Sequence, residues 1–430
     1  MKKYDLIVAG GGLAGISAAV AAAKEGLSAL IVEKSGSLGG ALSGGLVYPF
    51  CPYYTETDGK LTKLVNAGLL SEMIERHNKK IIGHFPPAEP NICLRDGDIR
   101  RFKTEYFKMV LDELAKDYGV DVLYHAMVCD LVLDGRKIVS LKAATKVGIL
   151  ELSADFFVDA TGDGEVMYLA GCDHLLGREG DNLCQPMTTC FRVCNIDLPL
   201  YKKELPELQK LYKEYRASGK INNPRENILQ FYGIGDGIVH YNTTRVVMLD
   251  PTDPFALSRA ETEARTQIYE LFDFLKKNSA AYKNAVLISV ASEIGVRESR
   301  KLRGVHVITE EELFACTRFE DSIALGNYDV DIYSPDGTGT RIRKFDRDKY
   351  YTIPYRSLLP KEYDNLLVAG RCISATHEAQ SSVRIMPICV SIGEAAGVAI
   401  AEAARSGKTT HTVDIKRVQQ TLIKNGAEIY

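Results

Sequence analysis

Four side chains near the end of the chain have the types for chemistry: Arg371, His377, Glu378 and Arg384. A histidine moves protons near neutral pH, because its ordinary pKa lies there. A guanidinium stays charged and presents a planar fork to a carboxylate. His377 is read as a general acid/base or as a histidine that stabilises its turn by packing, and Arg384 as an anion or substrate-carboxylate contact. Glu378 and Arg371 have a second reading, an ion pair that fixes their loop. Arg297, Arg300 and Arg303 in GVRESRKLRG recur every three residues. That spacing predicts one helix face, able to grip an anion or simply to be solvated. Near the start of the chain, Gly10, Gly12 and Gly15 have the G-x-G-x-x-G spacing that admits a pyrophosphate. Glu33 follows 23 residues after Gly10, where a carboxylate can accept hydrogen bonds from a ribose diol.

These residues need elements to hold them. Asp5 to Ala9 reads as a buried parallel strand, Leu13 to Lys24 as an alanine-rich helix, and Ser28 to Val32 as a second strand. The helix N-terminus, with free N–H groups and a positive dipole end, favours a phosphate. Residues 41–50, rich in glycine and small side chains, suit a loop lying flat on a planar ligand. Residues 58–91 read as helical, then irregular. Phe102 to Tyr118 is an amphipathic helix and Asp121 to Tyr124 a strand. A β-meander with turns at Asp134-Gly135 and Lys146-Val147-Gly148 follows. It returns to a buried strand at Phe156 to Val158. Residues 183–350 change character, with long charged helices such as Asp253 to Lys277, and read as a second domain. NLLVAG, Asn365 to Gly370, is another buried strand. A small-residue helix over about 387–405 and a last helix over about 413–424 close the chain.

Composition narrows the class. A chain of 430 residues can bury two or three domains. A formal net charge of −3 gives no reason to expect nucleic acid or an anionic membrane as partner. No apolar run is read as reaching membrane-span length. MKKY leads straight into the first strand without a signal peptide, which reads as cytoplasmic. None of the ten cysteines is spaced C-x-x-C, against a dithiol relay and the common zinc and iron–sulfur patterns. Cys184, Cys190 and Cys194 read as part of a strand, so no metal is expected. GIGDGI, Gly233 to Ile238, has no alanine-rich helix after it and reads as a turn rather than a second dinucleotide site.

AGGGLAGISAA, VEKSGSLGGALSGG, VDATGDGE, SEIGVRESRKLRG, YYTIPYRSLLP, NLLVAGRCISATHEAQSSVRIMP and SIGEAAGVAIA span nearly the whole chain. Together they resemble the FAD-dependent oxidoreductase family, part of the glutathione-reductase-like Rossmann superfamily and related to fumarate-reductase-type flavoproteins. The residues independently favour FAD over NAD. A meander interrupts the sheet, and three separated segments around one long ligand suit a cofactor gripped at both ends. The fold class expected is α/β: a discontinuous FAD-binding Rossmann domain with a β-meander over residues 1–182 and 351–430. An α+β substrate domain is inserted at 183–350.

The resemblance implies roles residue by residue. Gly10, Gly12, Leu13, Ala14 and Gly15 hold the pyrophosphate, and Glu33 binds the adenosine ribose with Lys34 beside it. Gly39, Gly40, Ser43 and Gly44 line the run toward the flavin. Val128 offers backbone contacts to adenine. Ala160, Thr161, Gly162 and Asp163 form a second contact. Gly370 and Arg371, with Arg384, Ile385 and Pro387, approach the flavin end. The helix starting near Pro387 would aim its dipole at the flavin edge. Relatives often attach FAD through a histidine just after the glycine pair; residues 41–45 contain none, so FAD is expected to be non-covalent. A histidine often stands in the family where this chain has Tyr333, so a catalytic histidine there does not carry over.

The function expected is oxidation or reduction of a small organic substrate, an acid or a carbohydrate-derived compound, at bound FAD. A separate electron carrier and a homo-oligomer stay open as further partners. Two alternatives remain: an electron-transfer subunit serving a partner protein, weakened by the missing iron–sulfur motif, and an RNA-modifying flavoenzyme, weakened by near-neutral charge.

Overall fold

Tyr4–Ala9 lies at the centre of a parallel sheet, between Ala29–Val32 and the long strand Gly148–Asp159. The structure is a computed structural model that describes residues 3–48, 50, 53–84 and 102–430. Asp121–Leu123 extends the sheet beyond Ala29–Val32, and Leu366–Val368 pairs with the end of Gly148–Asp159. The strand interiors are almost continuously apolar, as a sheet covered on both faces requires. The registers Ala9↔Asp159 and Val368↔Asp159 bring three strand ends level. The loops that follow, at Gly10, Ala160 and Gly370, therefore leave the same sheet edge side by side. An open α/β sheet binds ligands at that edge, where strand order reverses.

The meander is present: Met127–Asp134, Lys137–Thr145 and Gly148–Asp159 run antiparallel. Phe156 to Val158 is no separate strand but the end of Gly148–Asp159, which joins meander and parallel sheet in twelve residues. Helix Leu13–Lys24 covers one face and packs on helix Met386–Ser406. The packing is backbone on backbone. A Cβ at Gly393 would stand 2.1 Å from Ala14 O, and one at Gly397 2.1 Å from Ala18 O. Two glycines four apart on one helix meet two alanines four apart on the other.

A second hydrophobic core lies around the sheet Gln230–Phe231, Val239–Tyr241, Phe191–Cys194 and Val286–Val290. Helices Leu198–Ala217 and Pro254–Asn278 pack on it, each started by an aspartate cap. Ser322–Gly326 and Val330–Tyr333 pack largely with the core formed by the parallel sheet and helices Leu13–Lys24 and Met386–Ser406.

Three expectations change. Residues 58–81 are not wholly helical: Tyr54–Thr57 and Lys60–Leu64 form a hairpin before helix Leu69–Ile81. Residues 85–91 of that stretch lie outside the described residues. Arg297, Arg300 and Arg303 share no helix face, because Arg300–Leu302 is a strand paired with His174–Leu176. Met386–Ser406 is long and apolar enough to cross a membrane, contrary to the reading of the sequence, yet 94% of its apolar window is buried inside the fold.

Candidate cofactor site and active site

Gly10 turns the chain out of the central strand with φ +92°, a conformation that favours glycine. A Cβ there would meet Ala160 O at 2.6 Å. A Cβ on Gly15 would stand 1.9 Å from Gly10 O, so helix and strand touch backbone to backbone. Gly12 differs: the nearest atom to a Cβ there is Gly40 Cα at 3.9 Å. The turn thus leaves an open cradle at Gly12, in front of Leu13, Ala14 and Gly15. No side chain caps this helix, whereas the helices starting at Leu198, Pro254, Glu310, His377 and Ile415 are each closed by an Asp or Thr. Uncapped N–H groups facing an open cradle fit a pyrophosphate.

Glu33 braces the turn. Its Oε2 accepts from Gly11 N at 2.5 Å and its Oε1 from Ser35 N at 2.7 Å. Ala126 N donates to Glu33 O, which places Val128 two residues further along the adjoining strand. Gly39 bridges to Gly12, and Ser43 Oγ donates to Gly40 O. Gly44 O accepts from Glu293 N and Ser292 Oγ. Residues 39–44 therefore run from the cradle toward residues 292–293. A Cβ on Gly370 would stand 3.0 Å from Ala14 Cβ, which brings the third loop onto the same helix turn. Helix Met386–Ser406 likewise starts without a side-chain cap, at Ile385 and Pro387.

The charges nearby are organised. Asp163 Oδ1 accepts from Ser299 Oγ at 2.6 Å and from Arg371 Nη2 at 2.9 Å. Burial opposes the Asp163 charge, but Arg371, Ser299 and Lys34 together outweigh it and hold the carboxyl below its ordinary range. Arg371 thus ties two loops together through Asp163. The loop-fixing ion pair read for Arg371 and Glu378 has a different partner, and Glu378 makes no ion pair among the described residues. Thr161 bonds Asp159, whose buried carboxyl is pushed up by desolvation. Glu165 is pushed up to about 7, also by burial. Lys34 faces Glu165, Asp163, Glu293 and Glu33; they outweigh the burial that opposes its charge and raise its pKa.

His377 is buried beside Glu298, with Nδ1 2.7 Å from Glu298 Oε2. The contact is an ion-pair distance at an angle outside hydrogen-bond geometry. Glu298 is fully buried, also contacts Lys301 Nζ, and accepts from Gln185 N at 3.0 Å. Burial works against its charge, yet His377 and Lys301 hold it below the usual carboxylate range. Gln185 Oε1 is 3.5 Å from Arg384 Nη2. The structure therefore groups His377, Glu298, Gln185 and Arg384 and leaves Arg371 in a separate bracket. Glu298 and Gln185 escaped the sequence reading. Glu298 sits inside RESRKLR, where the arginine spacing drew a helix.

Arg297 donates to Pro186 O, Thr188 Oγ1 and Asn242 Oδ1. Arg300 lies 4.0 Å from the Tyr168 ring centroid, and Arg303 is exposed near Asp173. Cys184, Cys190 and Cys194 are free, and burial pushes the Cys184 and Cys190 thiols up to about 12. Neither is a thiolate at neutral pH.

A parallel sheet with a glycine turn at its reversal point, backed by an uncapped helix, defines a dinucleotide-binding protein. The chain belongs to the FAD-dependent oxidoreductase family, whose model matches residues 5–422. FAD is its cofactor, and the cradle at Gly12 fits the pyrophosphate of that group. The chain is similar to a geranylgeranyl bacteriochlorophyll reductase-like protein from Thermoplasma acidophilum, with 16% identity and a TM-score of 0.47, over 100% of this chain and 85% of the other. A triple mutant of the flavin-dependent brominase Bmp2 is 14% identical with a TM-score of 0.47, over 98% and 84%. CabE, an aromatic hydroxylase from angucycline biosynthesis, is 12% identical with a TM-score of 0.46, over 94% and 63%. No curated protein matches the chain.

Proposed function

We propose that this chain transfers a hydride or electron pair between a small organic substrate and non-covalently bound FAD, with His377 giving or taking the proton. FAD supplies the redox chemistry when bound; the protein supplies placement, charge and the proton. One observation carries the assignment of His377. Its Nδ1 faces a buried carboxylate, while Nε2 makes no hydrogen bond among the described residues. A carboxylate on one ring nitrogen orients the imidazole. Lys301 keeps Glu298 ionised for that task. Arg384, linked to Glu298 and so to His377 through Gln185, binds the substrate carboxylate. Asp163 and Arg371 hold the Gly162 and Gly370 loops in register under the cofactor.

The test is His377→Asn. FAD content should match the native protein, while the anaerobic rate of flavin reduction by substrate falls about 10²- to 10⁴-fold, the span of general acid–base catalysis. A native rate at native FAD content removes His377 from the mechanism.

A further inference from the structure

Around Tyr333 the positive charge is out of balance. The guanidinium carbons of Arg297, Arg225 and Arg245 lie 4.4, 5.2 and 5.2 Å from the ring centroid. Arg245 and Arg225 are 1% and 7% exposed. Arg384 borders the group and repels Arg297, and its Nε is buried with no hydrogen-bond partner. Among the described residues, one carboxylate forms an ion pair with any of the four: Glu226, on Arg245 at 2.9 Å. The other polar contacts are neutral, such as Asn227 on Arg225, Thr340 on Arg245 and Asn242 on Arg297. The Tyr333 face offers only a quadrupole.

Arg225 and Arg245 are buried, while Arg297 and Arg384 are half-buried; guanidiniums withdrawn from water without counter-charge are costly, and proteins pair them. Four cations against one carboxylate leave about three charges for something outside the chain to meet. Burial first, then repulsion by Arg384 and Arg225, pushes Arg297 down to about 10. Guanidinium forks match carboxylate and phosphate oxygens two at a time. Gln185 joins Arg384 to Glu298, so this charged cluster adjoins His377.

The geometry points to a substrate with two anionic groups, one of them a carboxylate, seated among Arg225, Arg245, Arg297 and Arg384 against Tyr333. This rests on the reading of His377 and Arg384 as one active site and specifies the acid that enters it. Tyr333 is the floor of the site. Among the described residues its hydroxyl makes no hydrogen bond, which leaves it available to the bound acid.

Calorimetry on the FAD-loaded protein tests this without turnover. Malonate, succinate and glutarate probe two carboxylates, and phosphoglycolate probes carboxylate with phosphate. Acetate and succinamide are the single-charge and neutral comparisons. At least one dianion should bind ten-fold or more tighter than acetate, and succinamide should not bind. Arg225→Gln should weaken that dianion ten-fold or more, the effect of losing one charged hydrogen-bonding partner, and Arg225→Lys should recover part of it. Unchanged FAD content and melting temperature show that each variant is folded. The inference is overturned if every dianion binds like acetate, or if Arg225→Gln binds the dianion as the native protein does. Repeating the titration with His377→Asn separates the two readings, because anion binding there is expected to persist whatever that variant does to the rate.

Discussion

Two alanine substitutions three residues apart should fail in opposite ways. Gly12→Ala adds a methyl that meets no atom closer than 3.9 Å, at φ −63° and ψ 176°, which alanine adopts freely. The fold should tolerate it. Lost N-cap preference and reduced unfolded-state entropy nearly cancel, so stability without FAD should move by about 1 kcal/mol or less. The methyl nevertheless enters the cradle, and the pyrophosphate must stand off from the helix N–H groups. Losing one charged hydrogen bond costs about 1.5–3 kcal/mol, or about 10- to 100-fold in FAD affinity. Gly15→Ala is the reverse case. Its methyl would lie 1.9 Å from Gly10 O, a backbone atom that cannot rotate away. Helix Leu13–Lys24 would be forced off the sheet and against Met386–Ser406, at about 3 kcal/mol, the upper range for overpacking. Thermal melts with and without FAD, plus an FAD titration, separate the two. Native FAD affinity in Gly12→Ala, or a native melting temperature in Gly15→Ala, would refute the close-approach argument.

Two further outcomes follow from buried charge. His240 is fully buried with both ring nitrogens unpartnered, and burial pushes its pKa down to about 3 from 6.5. The unfolded chain therefore takes up the proton first, and stability is lost as pH falls from 6.5 toward 3; between pH 7 and pH 5 this group should cost about 2 kcal/mol. Denaturant titrations of His240→Phe at those two pH values should show that much less loss than the native protein, and an equal loss would contradict the burial. Glu298→Gln should destabilise by about 3–5 kcal/mol, because it leaves Lys301 buried without a counter-charge; an unchanged melting temperature would show that the pair carries little.

The cradle was legible because its signals are local. Strand, glycine turn, helix, strand and Glu33 follow each other within about thirty residues, and each is dictated by backbone sterics or strand burial. The Asp58-Gly59 hairpin was equally legible and was missed: Asp-Gly between alternating residues is a turn signal, and both residues have positive φ. The arginines of residues 297–303 misled for a different reason. A spacing of three fits a helix, but pairing with His174–Leu176, more than a hundred residues away, decides the strand. The Tyr333 cluster was unreadable in principle, since Arg225, Arg245, Arg297 and Arg384 come from four separate segments. Glu298 and His377 likewise meet only through the fold.

The most direct test is the flavin of the purified protein under anaerobic conditions. The account predicts FAD that is released intact on denaturation, and whose visible spectrum bleaches on adding a small anionic reductant or recovers on adding its oxidised partner. A colourless protein that cannot be reconstituted with FAD, or a bound flavin that no small organic acid oxidises or reduces, would contradict it.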